Sequence, residues 1–444
     1  MKKILVLGAG KSSSALISHL LKSCDSGEFY LTVGDMSAEV AAAKVNSHEN
    51  TSAIAFDIND ADHASELISD HDLVISMLPA SFHPVVAKLC LQHKKHLITP
   101  SYLSDELKEM DGDVKAAGLV FLNEMGLDPG IDHMSAMKLI TELKDQGAEI
   151  YGFESFTGGL VAPESDNNPW HYKFTWNPRN VILAGQGDGG IKFIHNGRYK
   201  YIPYHKLFSR TELIEIENYG EFEGYANRDS LKYRSLYGLE DVKTMYRGTL
   251  RRPGFSSAWD VFVQIGATDD SYVIEDTMDM THRQFINSFL KYRKDDSVEL
   301  KLAYYCKIDV DSPEMQLLKW LGIFEETVIG LEEATPAQVL QKILEPKWKM
   351  EENDKDMIVM WHKFNFKDKD GNDHEWQSSL VVLGDDSEQT AMSKTVGLPI
   401  AIAAKHILDG KYSAGVCIPV LDEISLPVLE ELEKNGIVFQ ERKN

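Results

Sequence analysis

The sequence predicts an α/β protein: a Rossmann-type, doubly wound parallel sheet joined to a mixed α/β domain that carries a helical lid. Three observations lead to that class. Short apolar runs alternate with helically spaced segments between residues 4 and 122, and the turn after the first run reads Gly8-Ala-Gly10-Lys11-Ser12-Ser13. From about residue 149 the texture shifts towards aromatics, glycines and longer extended stretches.

Residues 4–7 form a short apolar strand, residues 11–22 place Ala15, Leu16, Leu20 and Leu21 at helical spacing, and residues 29–33 form a second strand ending at Gly34-Asp35. The alternation continues with helix 38–45, strand 53–56, helix 61–68, strand 73–77, helix 84–93, strand 96–99, helix 105–117 and strand 119–122. Parallel strands need crossover helices of this kind. Residues 1–128 are therefore expected to form a nucleotide-binding domain, completed by part of 400–444. Residues 129–280 and 351–399 are expected to form the mixed domain, with strand-like stretches at 150–157, 190–194 and 258–265; its roles in substrate binding and dimerisation follow only from the resemblance given below. Residues 281–350 read as the lid. Within it Ser312-Pro313 and Thr335-Pro336 each set an N-cap before a proline at the first helical position, and Gly322 closes the first of these helices. Residues 357–366 and 375–383 read as an antiparallel pair around the Asp370-Gly371 turn. Residues 390–408 read as a helix interrupted at Gly397-Leu398-Pro399, and 423–438 as a helix and strand returning to the first domain.

A chain of 444 residues with 43% hydrophobic content builds more than one core, and its net charge of −23 opposes binding to nucleic acid or anionic membranes. An anionic small molecule then needs a local arginine cluster. The four cysteines, Cys24, Cys90, Cys306 and Cys417, form no CxxC and suggest neither a disulfide framework nor zinc. No apolar run is long enough for a membrane span, and the apolar N-terminal run stops at Gly8, so a reduced cytoplasm is the expected location.

Glycines between a first strand and a helix allow a tight turn that presents N–H groups to a pyrophosphate. Here the third fingerprint glycine is replaced by Ser13, and Ser12–Ser14 offer hydroxyls. Asp35 ends the second strand, where a carboxylate accepts the adenosine ribose diol and repels a 2′-phosphate, favouring NAD over NADP. Asp57 and Ile58 follow the third strand, and Ser76, Met77 and Leu78 the fourth, on the edge where such sheets bind ligands. Against these stand plain readings as turn residues.

Residues 123–134 read NEMGLDPGIDHM after the sixth strand. As local structure Asp128 is an N-cap with Pro129 at the first helical position, a role compatible with facing a cleft. Asp132 and His133 read as solvated first-turn residues; without further ligands no metal site is expected. Residues 368–373 read as a hairpin turn and not as a calcium loop.

NEMGLDPGIDHMSAM resembles the signature of the glutamate-forming saccharopine dehydrogenases. Further matching motifs are FTGGL (156–160), YKFTW (172–176), GYANRDS (224–230), RGTLR (247–251), DMIVM (356–360) and AMSKTVGLP (391–399), spread over nearly the whole chain. The resemblance is closest to the NAD-dependent C-terminal half of the bifunctional animal and plant aminoadipate semialdehyde synthase. Gly34-Asp35-Met36 agrees, since the fungal NADP-dependent enzymes carry a basic residue there. It implies a homodimer that oxidises saccharopine with NAD and water to glutamate and 2-aminoadipate 6-semialdehyde. It also implies substrate contacts at Ser101, Tyr102, Asp128, Arg228, Thr249, Leu250 and Arg251, with Asp128 or Tyr102 as proton carrier. The cofactor set becomes Gly8, Gly10, Lys11, Ser12, Ser13, Asp35, Glu39, Asp57, Ile58, Ser76, Met77, Leu78 and Trp176. Arg228 and Arg251 suit bidentate carboxylate binding, and Asp128 suits a developing iminium. Arg247 and Arg252 are not assigned. Two alternatives are a relative acting on another secondary amine, of the carboxynorspermidine dehydrogenase or homospermidine synthase type, and a nucleotide-binding regulator without catalysis. The two arginines disfavour the first, because polyamines need acidic pockets.

Overall fold

The computed structural model describes residues 1–45, 48–186 and 190–444. The chain divides into two compact units. One comprises Met1–Ile150, Lys367–Asp373 and Leu380–Gln440, and the other Tyr151–Phe366, His374–Ser379 and Glu441–Asn444.

In the first unit, strands β1 (Lys2–Leu7), β2 (Phe29–Asp35), β3 (Thr51–Ala55), β4 (Leu73–Ser76), β5 (His96–Ile98) and β6 (Val120–Leu122) are joined by a seventh strand, Gly415–Cys417. Their order across the sheet is Gly415–Cys417, β6, β5, β4, β1, β2, β3, and every registered pair is parallel. Ile4, Leu5, Val6 and Leu7 are all 0% exposed, because β1 is covered on both faces. The order reverses beside β1, so the loops after β1 and β4 flank the switch point where such sheets bind ligands. The helix expected over 105–117 is two short helices, Asp105–Glu109 and Asp111–Ala116, meeting at Met110.

The helix Ala391–Leu408 runs unbroken through Gly397 and Pro399, contrary to the expected interruption. A Cβ on Gly397 would lie 2.5 Å from the Leu16 nitrogen, so this glycine is the point of closest approach to the helix Ser14–Asp25. Pro399 removes one backbone donor, but Leu398, Ile400 and Ala401 around it are buried, and packing holds the helix together.

The second unit centres on a mixed sheet containing β7 (Glu149–Val161), β8 (Ile191–His195), β9 (Arg198–Ile202), β10 (Glu212–Ile216), β11 (Gly220–Ala226), β12 (Thr244–Arg251), β13 (Asp356–Lys367) and β14 (Asp373–Leu383). The order is β10, β11, β12, β7, β13, β14 and the strand Gln440–Lys443, while β8 pairs with β12 and β9. The terminal strand thus joins this sheet and not the first. Glu441 fixes it, accepting from Trp376 Nε1 (2.6 Å) and Ser378 Oγ (2.9 Å).

Residues 258–265, expected to be extended, lie in the helix Phe255–Ile265. Its aromatic and β-branched residues favour a strand, but Phe255, Ala258, Trp259, Phe262 and Val263 share a buried face, and Gly254 and Gly266 bracket it at φ 93° and 86°. Trp170 and Trp348, with ring centroids 5.1 Å apart, pack against Phe255, Trp259 and Phe262 of this helix. Residues 281–350 contribute the helices His282–Ser288, Val298–Cys306, Pro313–Trp320 and Pro336–Trp348 to the same unit. Ser312 and Thr335 cap the last two, and Thr335 forms a full capping box with Gln338. No helix among the described residues is long and apolar enough to cross a membrane.

Replacing Gly397 with Ala should lower stability by about 1–3 kcal/mol, because the methyl meets backbone that cannot move aside. Urea unfolding followed by circular dichroism checks this; an unchanged midpoint would show that the two helices separate at no cost.

Candidate active site

The turn after β1 is shaped by Gly8. Its φ of +103° and the 3.1 Å that a Cβ would leave to the Met77 carbonyl both require glycine. Its N–H donates to the Gly34 carbonyl at 2.7 Å. At Gly10 a Cβ would meet nothing within 4 Å, so the loop's outer side has room for a pyrophosphate. The hydroxyls around it are mostly committed. Ser13 donates to the Gly10 carbonyl (2.7 Å) and Ser14 to Glu388 Oε2 (3.0 Å), whereas Lys11 is exposed and Ser12 half-buried with no side-chain bond among the described residues.

Asp35 is tied into this loop. Its Oδ2 accepts from the Ala9 N–H (2.8 Å) and its Oδ1 from the Ser37 N–H (3.1 Å), leaving lone pairs on a half-buried carboxylate. Glu39 is exposed, and the Ser37 hydroxyl bonded to it holds its carboxyl below the usual range. Asp57 is exposed and folds onto Asn59, whose N–H it accepts at 2.9 Å, while Ile58 is buried. Met77 and Leu78 are half-buried; Ser76 is fully buried, with Oγ 3.0 Å from His83 Nδ1. Trp176 belongs to the second unit and is half-buried.

The segments after β5 and β6 meet at one place. The Tyr102 hydroxyl donates to Asp128 Oδ1 at 3.1 Å. Glu124 holds Tyr102 from both sides: its N–H donates to the Ser101 carbonyl (3.0 Å), and its Oε1 accepts the Leu103 N–H (2.9 Å). Its Oε2 lies 2.8 Å from His133 Nε2, and both residues are within 1% of full burial. Glu124 takes a left-handed φ of 56°, uncommon for a non-glycine residue and concentrated at functional sites.

Two local expectations are corrected here. Asp132 and His133 are not solvated but 1% and 0% exposed, because the turn brings buried Glu124 against His133 while Asp132 accepts the Gly130 N–H at 2.6 Å. Nor is Asp128 an N-cap: the helix starts at Ile131, behind Gly130 at φ 147°. The chain doubles back at 126–130, with Gly126 N–H on the Pro129 carbonyl and Ile131 N–H on the Gly126 carbonyl, both 2.9 Å, and a cis peptide precedes Pro129. Asp128 is left half-exposed in a stretch whose neighbours are buried. Sequence reading passed over Glu124 and His133 as functional partners, although a Glu at the end of a sheet strand and a His one turn into the next helix were both visible.

In the second unit Thr249, Leu250 and Arg251 end β12. Thr249 is half-buried near the Asn227 amide (3.4 Å), and Leu250 has a fully buried side chain, so only its main chain is open to a ligand. Arg251 is 4% exposed. Its guanidinium lies 5.0 Å from the Tyr172 ring centroid and 5.3 Å from that of Phe255, and Nη1 donates to the Leu250 carbonyl at 2.9 Å. Its Nε and the buried Tyr172 hydroxyl find no hydrogen-bond partner among the described residues, and burial pushes the Tyr172 phenol up to about 12. The obvious counter-ion, Glu223, sits opposite Arg251 in the β11–β12 register. Its two oxygens instead accept N–H groups of Gly254 and Ser256, at the start of the helix Phe255–Ile265, where a negative charge suits the helix dipole. Arg251 is therefore a buried cation without a carboxylate partner among the described residues. Arg228 is exposed just after β11, whereas Arg252 is spent on the Tyr219 carbonyl (2.7 Å) and the Phe222 ring. Among the described residues no group of three or more His, Cys, Asp and Glu is placed to hold a metal ion.

Comparison with known proteins places these features in a family context. Residues 4–122 match the model of the saccharopine dehydrogenase NADP binding domain, and residues 126–437 that of the saccharopine dehydrogenase C-terminal domain. The chain is 35% identical to the mitochondrial alpha-aminoadipic semialdehyde synthase of Rattus norvegicus, over 99% of its own length and 47% of that protein, so it spans about half of that relative. It is 32% identical to the NADP(+), L-glutamate-forming saccharopine dehydrogenase of Schizosaccharomyces pombe, over 99% of both chains. The solved apo saccharopine dehydrogenase (L-Glu forming) of Saccharomyces cerevisiae matches over 100% of both chains, at 30% identity and a TM-score of 0.88.

An unneutralised buried guanidinium contributes little to folding. Arg251→Met should leave unliganded stability unchanged or raise it by about 1 kcal/mol or more, read from the urea midpoint. A loss above about 2 kcal/mol would assign Arg251 a structural role instead.

Proposed function

Because the chain belongs to the saccharopine dehydrogenase family, we propose that it catalyses the reversible NAD-dependent conversion of L-saccharopine and water to L-glutamate and L-2-aminoadipate 6-semialdehyde. The observation that carries the reading is Arg251. Saccharopine has three carboxylates, and a buried guanidinium walled by Tyr172 and Phe255 gives one of them a bidentate, poorly hydrated partner within a protein of net charge −23. Exposed Arg228 serves a second carboxylate, and Thr249 adds a hydroxyl.

The chemistry follows from the substrate's secondary amine. Bound NAD supplies the hydride acceptor. The amine must first lose its proton, which Asp128 takes while Tyr102 holds its Oδ1 in place. Asp128 passes this proton on to solvent, a hydride then leaves the methylene carbon on the aminoadipate side, and the Asp128 carboxylate stabilises the resulting iminium cation. Water adds to the imine carbon, and cleavage of the carbon–nitrogen bond releases glutamate as the amine and the semialdehyde as the carbonyl product. One net proton is released. Glu124, bonded on both sides of Tyr102, keeps the phenol aimed at Asp128.

Asp35 favours NAD. A 2′-phosphate next to a carboxylate already fixed by two N–H groups would meet a charge that cannot turn away. The Schizosaccharomyces pombe relative is named for NADP(+), so the cofactor choice is a point on which this chain differs from it.

Purified protein mixed with saccharopine and NAD should reduce the nicotinamide, followed by absorbance, with a weaker rate on NADP; no signal with either contradicts the reading. Asp128→Asn should lower kcat by roughly 10²-fold or more, as expected for loss of a general base. Asp35→Ala should shift the NAD/NADP ratio of kcat/KM towards NADP, and an unchanged ratio would place the ribose contact elsewhere.

A further inference from the structure

His83 lies at the start of the helix His83–His93, and its ring links the ends of two sheet strands. Nδ1 is 3.0 Å from Ser76 Oγ, and Nε2 is 2.7 Å from Ser101 Oγ and 2.9 Å from Thr99 Oγ1. Ser76, His83 and Thr99 are 0%, 3% and 1% exposed, while Ser101 is half-exposed. Thr99 Oγ1 also accepts the Ser101 N–H at 3.1 Å, which fixes the Ser101 backbone beneath its hydroxyl.

Burial alone pushes the imidazole down to about 4, so near neutral pH the ring has one N–H and one lone pair. Three hydroxyl protons compete for that single lone pair. If the Ser101 proton pointed at Nε2, the ring would carry its proton on Nδ1, and the buried Ser76 and Thr99 hydroxyls would both lack an acceptor among these groups. If Thr99 donates to Nε2 instead, Ser76 again lacks an acceptor and the Ser101 oxygen is left 2.7 Å from a lone pair already taken. If the ring proton sits on Nε2, Ser76 donates to Nδ1, and Nε2–H faces two oxygens, Ser101 Oγ and Thr99 Oγ1, both of which can accept. Only the Thr99 proton is then left over. Buried donors without acceptors are costly, so the Nε2–H arrangement is favoured.

We propose that His83 is a positioning residue which, held as the Nε2–H tautomer by Ser76, makes the Ser101 hydroxyl a hydrogen-bond donor towards a carboxylate of the substrate. The inference rests on the proposed saccharopine activity and on the substrate contact that the family resemblance implies for Ser101, and it deepens that reading. With its oxygen occupied by Nε2–H, Ser101 turns its proton to solvent or ligand. That arrangement welcomes an anion and discourages an ammonium group, so the same three residues select against polyamine substrates.

Two measurements test this. Histidine-selective 15N NMR of the wild-type protein at pH 7, with the His83 signal identified by its loss in His83→Gln, should show a protonated Nε2 and an unprotonated Nδ1. The Nδ1–H tautomer overturns the proposal whether or not saccharopine is turned over. In steady-state assays Ser101→Ala and His83→Leu should each raise KM for saccharopine by roughly tenfold, the effect of one charge-assisted hydrogen bond, with KM for NAD unchanged. The double variant should be no worse than either single one. Independent, multiplying effects, or a normal KM in His83→Leu beside a raised one in Ser101→Ala, would overturn the link. If wild-type protein fails to turn over saccharopine while the Nε2–H tautomer is present, the substrate reading fails and the tautomer assignment stands.

Discussion

A guanidinium taken out of water needs a negative partner, and Arg251 has none among the described residues although one stands directly across the β11–β12 ladder. Glu223 is diverted to the first N–H groups of the helix Phe255–Ile265. That helix in turn supplies Phe255, which with Tyr172 walls the guanidinium, and its other apolar side chains pack against Trp170 and Trp348. One carboxylate thus stabilises the helix and, by doing so, leaves a cation unneutralised. Aromatic faces soften the cost by an estimated ~1–2 kcal/mol but do not replace a counter-ion. Stability given up in this way is what a binding site requires, since a carboxylate ligand can then supply the missing charge.

The first unit solves a different problem with the same economy of groups. A parallel sheet whose order reverses at β1 gathers the loops after β1, β4, β5 and β6 on one edge. Polar side chains there are bonded to one another before any ligand arrives. Asp35 holds Ala9, His83 bridges Ser76 and Ser101, Glu124 brackets Tyr102, and Tyr102 holds Asp128. Such internal bonds fix orientation in advance, which lowers the cost of ordering the site in the reacting complex.

The sheet of the first unit was legible in the sequence because strands buried on both faces appear as unbroken apolar runs, and because Gly8 falls where the turn geometry needs a glycine. The helix Phe255–Ile265 was not, since its aromatic and β-branched residues favour a strand locally and only tertiary burial on one face decides the outcome. Gly397-Leu398-Pro399 misled for the opposite reason: residues that end isolated helices survive where a neighbouring backbone needs the space. Of the candidate residues in each unit, Tyr102, Asp128 and Arg251 could be named from motifs. The pairs that position them could not, because Glu124 with His133, Glu223 with the helix start, and Ser76 with His83 and Ser101 are set by turns and by the spacing between strands. The burial of Asp132 and His133 belongs to that second class.

The account stands on Arg251 being kept unpaired for a substrate carboxylate. Its most direct test is the shift in thermal unfolding temperature that saturating saccharopine produces in the wild-type protein and in Arg251→Met. The account predicts a clear rise for the wild type and a much smaller one for the variant, because the buried guanidinium is the charge that ligand binding neutralises. An equal rise in both proteins would contradict it, showing that saccharopine binds without the buried arginine.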